Sequence, residues 1–262
     1  MAAKINLDAG TGLAALGMIY QQIISFVSGL LIARVIGAAD YGIFNTSRSL
    51  LSILLVFTRL GLDFGLQKHL GSATTDAVLQ SRLYHLKTFR RLAVMVAIVI
   101  VLLTASGGGY LLEKYVFRFD NFGAICLGSM LALPFMTDMA LLGGTYRGVL
   151  KIGPSIIADL ILAPTLRLAL VVVFFIIGFR LWGVVIATSA ASIVAAIWLQ
   201  RKFRQDFKSQ IPQRSELSTE ESRVRKEEIS AVVKYSLVLA FSIGVTTLTR
   251  TLDSLEIGRA HV

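Results

Sequence analysis

The sequence predicts an all-α protein that crosses a membrane several times. Of its 262 residues, 55% are hydrophobic and only 16% are charged, and the mean hydropathy is +0.72. Soluble domains need about a quarter charged residues to cover their surface. A helix spans the hydrocarbon layer with about 20 apolar residues, and apolar runs of this length recur between short polar breaks. Lipid is therefore the predicted solvent for much of the chain.

Seven apolar runs are predicted to be spanning helices. The first is too long and too rich in polar residues for a signal peptide, and no small-residue cleavage site follows it, so we expect it to be an uncleaved helix. The seven runs are Leu13–Ile36, Tyr41–Gln67, Leu92–Leu112, Phe122–Gly144, Ile152–Gly178, Trp182–Leu199 and Tyr235–Leu255.

These runs divide the chain into predicted regions. Residues 1–199 are expected to form a six-helix transmembrane unit, residues 200–234 a cytoplasmic connector, and residues 235–256 the first helix of a second unit. The connector carries both charge signs and contains the capping-box pair Ser218 and Glu221. It is interpreted as a solvated link, with a contact to lipid headgroups as the alternative. Residues 257–262 (IGRAHV) resemble translated adapter sequence, so we expect a truncated fragment with a non-native tail.

Lysine and arginine predict the orientation. These residues favour cytoplasmic loops, and an internal N-terminus places seventeen of them inside and four outside. The inside set is Lys4, Lys68, Arg82, Lys87, Arg90, Arg91, Arg147, Lys151, Arg201, Lys202, Arg204, Lys208, Arg214, Arg223, Arg225, Lys226 and Lys234; the outside set is Arg34, Lys114, Arg118 and Arg180. The asymmetry accounts for the net charge of +10 and favours a multi-pass protein of the cytoplasmic (inner) membrane, with no nucleic-acid partner.

Motifs for catalysis and for metal or nucleotide binding are absent from the sequence. Cys126 is the single cysteine, and His69 and His85 do not have the HExxH spacing. Neither a GxSxG motif nor a phosphate-binding glycine loop occurs. We therefore predict no catalytic residue, no metal site and no cofactor. A membrane-embedded glycan-processing enzyme is kept as a less favoured alternative, because Asp40, Glu113 and Asp120 in the outside loops lack paired spacing.

Charged and polar side chains inside the spans mark a predicted internal cavity. On the second run, Arg48, Ser52, Arg59 and Asp63 fall within about 60° of one another at helical periodicity, and Arg59 and Asp63 are spaced to pair at i,i+4. Such residues cost about 2.5–3.5 kcal/mol each in hydrocarbon and usually face a cavity or a partner. A purely structural bridge between helices remains the alternative for this pair.

The same reasoning assigns the other spans. The first run contributes Gln21 and Gln22 and the seventh contributes Arg250 and Asp253, so spans one, two and seven are predicted to line the cavity. The third and sixth runs contain no charge and are predicted to face lipid. Three further charged residues, Asp138, Asp159 and Arg167, are left unassigned.

A short hinge joins the first two runs in the stretch IARVIGAADYGIF. Gly37 and Gly42 permit a tight turn, and Asp40 is placed to cap the following helix; Tyr41 completes the motif.

This hinge, together with LLVFTRLGLDFGLQKHL and YRGVLKIGPSIIADLILAPTLRL, resembles the polysaccharide-biosynthesis flippases. These are O-antigen-type (lipopolysaccharide) members of the multidrug/oligosaccharidyl-lipid/polysaccharide exporter (MOP) superfamily. The resemblance implies two six-helix lobes around a central cavity, which alternates access and moves undecaprenyl-diphosphate-linked oligosaccharide between leaflets. It also implies that cavity arginines, here Arg48, Arg59 and Arg250, contact the anionic headgroup.

A second transport function stays open within the same superfamily. In a cation-coupled multidrug exporter, Asp63, Asp138 and Asp159 would bind the coupling ion, H⁺ or Na⁺.

Overall fold

The computed structural model describes residues 7–73, 75–117, 119–208, 232, 234–247 and 249. Within these ranges the chain consists of helices joined by short turns, and the described residues form no strand. The helices are α1 (Leu7–Ile36), α2 (Ala38–Arg59), α3 (Leu62–Gly71), α4 (Asp76–Leu103), α5 (Phe122–Met130), α6 (Leu133–Gly148), α7 (Gly153–Ile177), α8 (Leu181–Asp206) and α9 (residues 234–247).

Five of the described helical stretches are long and apolar enough to cross a membrane, and a bent pair of helices adds a sixth. The five are Gly12–Ile36, Leu86–Phe117, Phe122–Gly148, Gly153–Ile177 and Leu181–Asp206. The protein is therefore an all-α polytopic membrane protein, as its composition predicts. The end predicted for the seventh span, and the capping pair of the connector, lie outside the described residues.

The bent pair corrects the prediction of one straight helix over Tyr41–Gln67. Helix α2 ends at Arg59, and α3 begins at Leu62 at an angle of 44°. Leu60 and Gly61 between them adopt left-handed conformations, with φ of 49° and 67°. Glycine adopts this conformation readily, so Gly61 permits the bend. Because of the break, Arg59 and Asp63 do not lie on one continuous helical face.

Two helices contain π-helical turns. Helix α4 continues beyond Leu103 through irregular turns to Phe117, with a kink at Gly107 (φ 125°). In α7, residues Ile157–Leu162 are π-helical. A π-helical turn adds a residue to the helical repeat and is frequent at functional sites. Helix α8, by contrast, is regular and continues past its predicted end to Asp206.

Helices α3, α4, α6 and α8 form the main core. Its largest enclosed side chains include Leu66, Leu86, Leu142 and Tyr146. Helix α3 approaches α6 closely through glycines: a β-carbon on Gly144 or Gly148 would lie within 3 Å of the α3 backbone. Small residues spaced by four allow such contacts between helices in membranes. Much of α1, α4 and α7 is exposed, which suits a lipid environment.

The prediction that the sixth span faces lipid is wrong. In the most apolar 18-residue segment of α8, 44% of the residues are buried inside the protein. In the corresponding segment of Leu86–Phe117, only 17% are buried. Thr188, Ser189 and Ser192 of α8 line an internal cavity. Absence of charge misled the prediction, because hydroxyl groups and small residues line cavities equally well.

Candidate functional site

A polar cavity of about 160 Å³ lies between helices α1, α2, α5, α6, α7 and α8, and the turn that joins α5 to α6 also lines it. It is roughly ten times the volume that one water needs, so it is large enough to be hydrated. Its polar lining comes from five helices: Gln21, Ser25, Arg48, Ser52, Ser129, Asp159, Arg167, Thr188, Ser189 and Ser192. We call this the first cavity.

Two arginines give the first cavity its positive charge. Arg48 of α2 and Arg167 of α7 interact electrostatically as like charges. Arg167 donates a hydrogen bond from Nη2 to Ser25 Oγ at 3.1 Å, while its Nε is buried and has no partner among the described residues. Thr188 Oγ1 is also buried and unpaired there. A buried donor without a partner is costly, so these groups favour an anionic ligand.

A second cavity, of about 100 Å³, lies nearer the bend between α2 and α3. Arg59 Nη1 lies 3.8 Å from Asp63 Oδ2, and the ion pair crosses the helix break. Arg147 of α6 donates from Nε to Gln67 Oε1 at 3.3 Å. Arg59 Nε is buried without a partner in the described part of the chain. This cavity therefore also presents guanidinium donors, here accompanied by an acid.

Asp159 belongs to both cavities. It lies on the π-helical turn of α7 and lines each of them. Its carboxylate interacts electrostatically with Arg59 and Arg147. Among the described residues it forms no ion pair within 4.0 Å, unlike Asp63 and Asp138.

Asp138 has a different environment. Its two carboxylate oxygens accept hydrogen bonds from Arg90 of α4, at 2.5 and 2.7 Å, and one of them also accepts from Gln200 Nε2 at 2.7 Å. Its side chain is only 5% exposed. The network joins α4, α6 and α8 away from both cavities, so Asp138 fixes helices rather than facing a ligand.

The structure separates the residues that the sequence grouped together. Gln21 and Arg48 line the first cavity, whereas Arg59 and Asp63 line the second. Gln22 is exposed and lines neither cavity. Arg250 and Asp253 lie outside the described residues.

The hinge is built differently from the prediction. Gly37 (φ 84°) is the N-cap of α2, and its carbonyl accepts from the N–H of Tyr41 at 3.0 Å. Asp40 lies within the first turn, and its side chain makes no capping hydrogen bond in the described part of the chain. Its charge still favours the helix N-terminus through the helix dipole. Gly42 lies in the following part of α2, so the turn itself depends on Gly37.

Three charged cavity residues are missing from the predicted cavity lining: Arg147, Asp159 and Arg167. The sequence predicted Asp159 only as a ligand of the coupling ion in the alternative exporter. Asp159 and Arg167 are eight residues apart, about 80° on a regular helix. That spacing indicates a shared polar face, but two charged residues in the fifth span were too few to predict that this face lines a cavity. Arg147 was counted as a loop residue, although α6 extends to Gly148.

Together, the spanning helices and the arginine-lined cavities define a polytopic membrane protein with a polar interior. The family model described as polysaccharide biosynthesis protein matches residues 7–261. The chain belongs to this family, and it is a membrane protein of the transporter type related to polysaccharide synthesis. No curated protein and no solved structure matches it.

Proposed function

We propose that the protein is a flippase, which moves undecaprenyl-diphosphate-linked oligosaccharide across the cytoplasmic membrane by alternating access. The observation that carries the proposal is the pair Arg48 and Arg167 in the first cavity, where the Nε of Arg167 is buried and has no partner among the residues that the structure describes. Guanidinium groups present fork-like donors that match phosphate oxygens. A diphosphate is the part of such a cargo that most needs a replacement for water.

The other lining groups suit the sugars of the same cargo. Gln21, Ser25, Ser129, Ser189 and Ser192 supply neutral donors and acceptors around the arginines. Sugar hydroxyls exchange hydrogen bonds with such groups and with retained water. The polyprenyl tail would stay in lipid beside the exposed apolar helices. The proposal includes an internal N-terminus, because the basic loops then lie in the cytoplasm.

Export of surface polysaccharide by cells tests the function. Four substitutions made in the protein should each abolish export and leave lipid-linked glycan to accumulate: Arg48→Ala, Arg59→Ala, Arg167→Ala and Arg250→Ala. Arg34→Ala is the matched control, because Arg34 is exposed at the end of α1 and lines neither cavity. Normal export by all four variants, at wild-type protein levels, would refute the proposal.

A cation-coupled multidrug exporter is the second candidate, because Asp159 presents a carboxylate to both cavities without a close ion pair in the described structure. An exporter would change the susceptibility of cells to drugs when Asp159→Asn is introduced, with lipid-linked glycan unchanged. A flippase would show the opposite pattern.

A further inference from the structure

We propose that Asp159 is a displaceable counter-anion, which neutralises the cavity arginines when no cargo is bound and yields them to the cargo's diphosphate. The inference rests on the proposed function and assigns a further residue to the same site. Asp159 would set how tightly the anion is held, and thereby how readily it is released.

The position of Asp159 is the first argument. Its carboxylate is the one acidic group that lines both cavities among the described residues. Along α7 it precedes Arg167 by eight residues, roughly 12 Å at helical rise. Along α2, Arg48 and Arg59 are eleven residues, roughly 17 Å, apart. Arg48 and Arg167 line the first cavity, and Arg59 and Arg147 line the second. Asp159 therefore shares a cavity with each arginine pair and interacts electrostatically with the second pair.

The charge balance is the second argument. The charged lining of the first cavity is Arg48, Arg167 and Asp159, a formal charge of +1. The second cavity holds Arg59 and Arg147 against Asp63 and Asp159, a formal charge of zero. Without Asp159 these charges would rise to +2 and +1. A diphosphate among uncompensated arginines would be held strongly and released slowly.

The way Asp159 is held is the third argument. Asp63 and Asp138 have fixed partners, at 3.8 Å from Arg59 and at 2.5 Å from Arg90. Asp159 interacts with Arg59 and Arg147 electrostatically but lies beyond 4.0 Å from any cation in the described structure. It also lies on a π-helical turn followed by Pro164. An incoming phosphate can therefore replace this carboxylate without breaking a close ion pair.

Binding of inorganic pyrophosphate to the purified full chain, by calorimetry at low salt, tests the inference. Asp159→Asn should bind pyrophosphate about tenfold more tightly than wild type, as expected for removal of one nearby like charge. The gain should shrink as salt is raised. Asp159→Glu keeps the charge and should stay near wild-type affinity. Asp120→Asn changes the net charge equally in an exposed loop and should have no effect.

Export by the same variants separates this role from a structural one. Asp159→Asn should export more slowly than wild type although it binds the anion more tightly, with unchanged thermal stability. Equal pyrophosphate affinity in wild type and Asp159→Asn, with binding lost in Arg48→Ala and Arg167→Ala, would overturn the inference alone. Absence of pyrophosphate binding in wild type and in Asp159→Asn would overturn it together with the proposed function.

Discussion

The backbones of Gly144 and Asp63 are in direct contact, so that a β-carbon on Gly144 would lie 2.2 Å from the carbonyl oxygen of Asp63. One turn later, a β-carbon on Gly148 would lie 2.9 Å from the carbonyl oxygen of Gln67. Helix α6 thereby holds α3 at its backbone. Asp63 forms an ion pair with Arg59, and Gln67 accepts a hydrogen bond from Arg147, so this glycine contact positions the second cavity.

Gly144→Ala should destabilise the protein markedly. Overpacking costs about 1–3 kcal/mol, and here the neighbour is backbone, which cannot rotate away. Unfolding of the purified protein in detergent measures the change as a lower melting temperature. Gly153→Ala is the control, since a β-carbon there would have no other described part of the chain within 4 Å. Equal melting temperatures for the two variants would contradict the contact.

Gly61→Ala should weaken the docking of α9 on the bend. A β-carbon there would lie 2.2 Å from the carbonyl oxygen of Ser236, and Gly61 also has a positive φ. Gly178→Ala isolates the effect of the positive φ, because Gly178 has a left-handed conformation (φ 96°) and a β-carbon there would meet no described residue within 4 Å. Both changes incur the roughly 1–2 kcal/mol cost of a left-handed alanine. Thermal unfolding should show the larger loss for Gly61→Ala, and an equal loss would exclude the docking contact.

Asp138→Asn should cost more stability than removal of an exposed ion pair. It leaves the guanidinium of Arg90 without its acid, and breaking a buried pair costs about 3–5 kcal/mol. Lys202→Ala removes the more exposed pair with Asp206, at 3.0 Å, and such pairs contribute about 0–1 kcal/mol. Chemical unfolding of both variants provides the comparison. A loss for Asp138→Asn no greater than that for Lys202→Ala would show that the network is dispensable.

The sequence predicted the class of fold but not which residues meet. Apolar run lengths located the helices because the bilayer thickness dictates them. The break at Leu60 and Gly61 was not predicted, because the hydrophobic run continues across it. The reason for the bend is visible only in the packing of this segment against Gly144 and Ser236.

The sequence predicted only part of the candidate site, again because a local pattern does not show how helices pack. Helical periodicity assigned Arg48 a polar face, and Arg48 does line a cavity. Periodicity could not show that Arg48 and Arg59 line different cavities, nor that Arg167 joins the first of them, because both facts depend on how α2 and α7 pack. The pattern of a single helix predicted which of its own residues line a cavity. Which residues of other helices line the same cavity could be seen only in the tertiary structure.

Labelling from either side of the membrane tests the proposed orientation. In a Cys126→Ala background, a cysteine at Asp120 should react with an impermeant thiol reagent added outside intact cells. A cysteine at Gln205 should react only after the membrane is made permeable. Both positions are exposed, and they flank opposite ends of spanning helices. The reverse pattern would place the basic loops outside, against the usual distribution of lysine and arginine.

Arg167→Lys tests whether the first cavity needs a guanidinium rather than a charge. Lysine keeps the charge, but it lacks a planar group that can donate to Ser25 from one nitrogen and to a cargo from the Nε, which has no partner among the described residues. A lost charge-assisted hydrogen bond is worth about 1.5–3 kcal/mol, so export should fall roughly tenfold or more. Arg34→Lys, at an exposed position, should leave export unchanged. Full export by Arg167→Lys at wild-type protein levels would mean that the cavity uses only the positive charge of Arg167, and that its Nε does not contact the cargo.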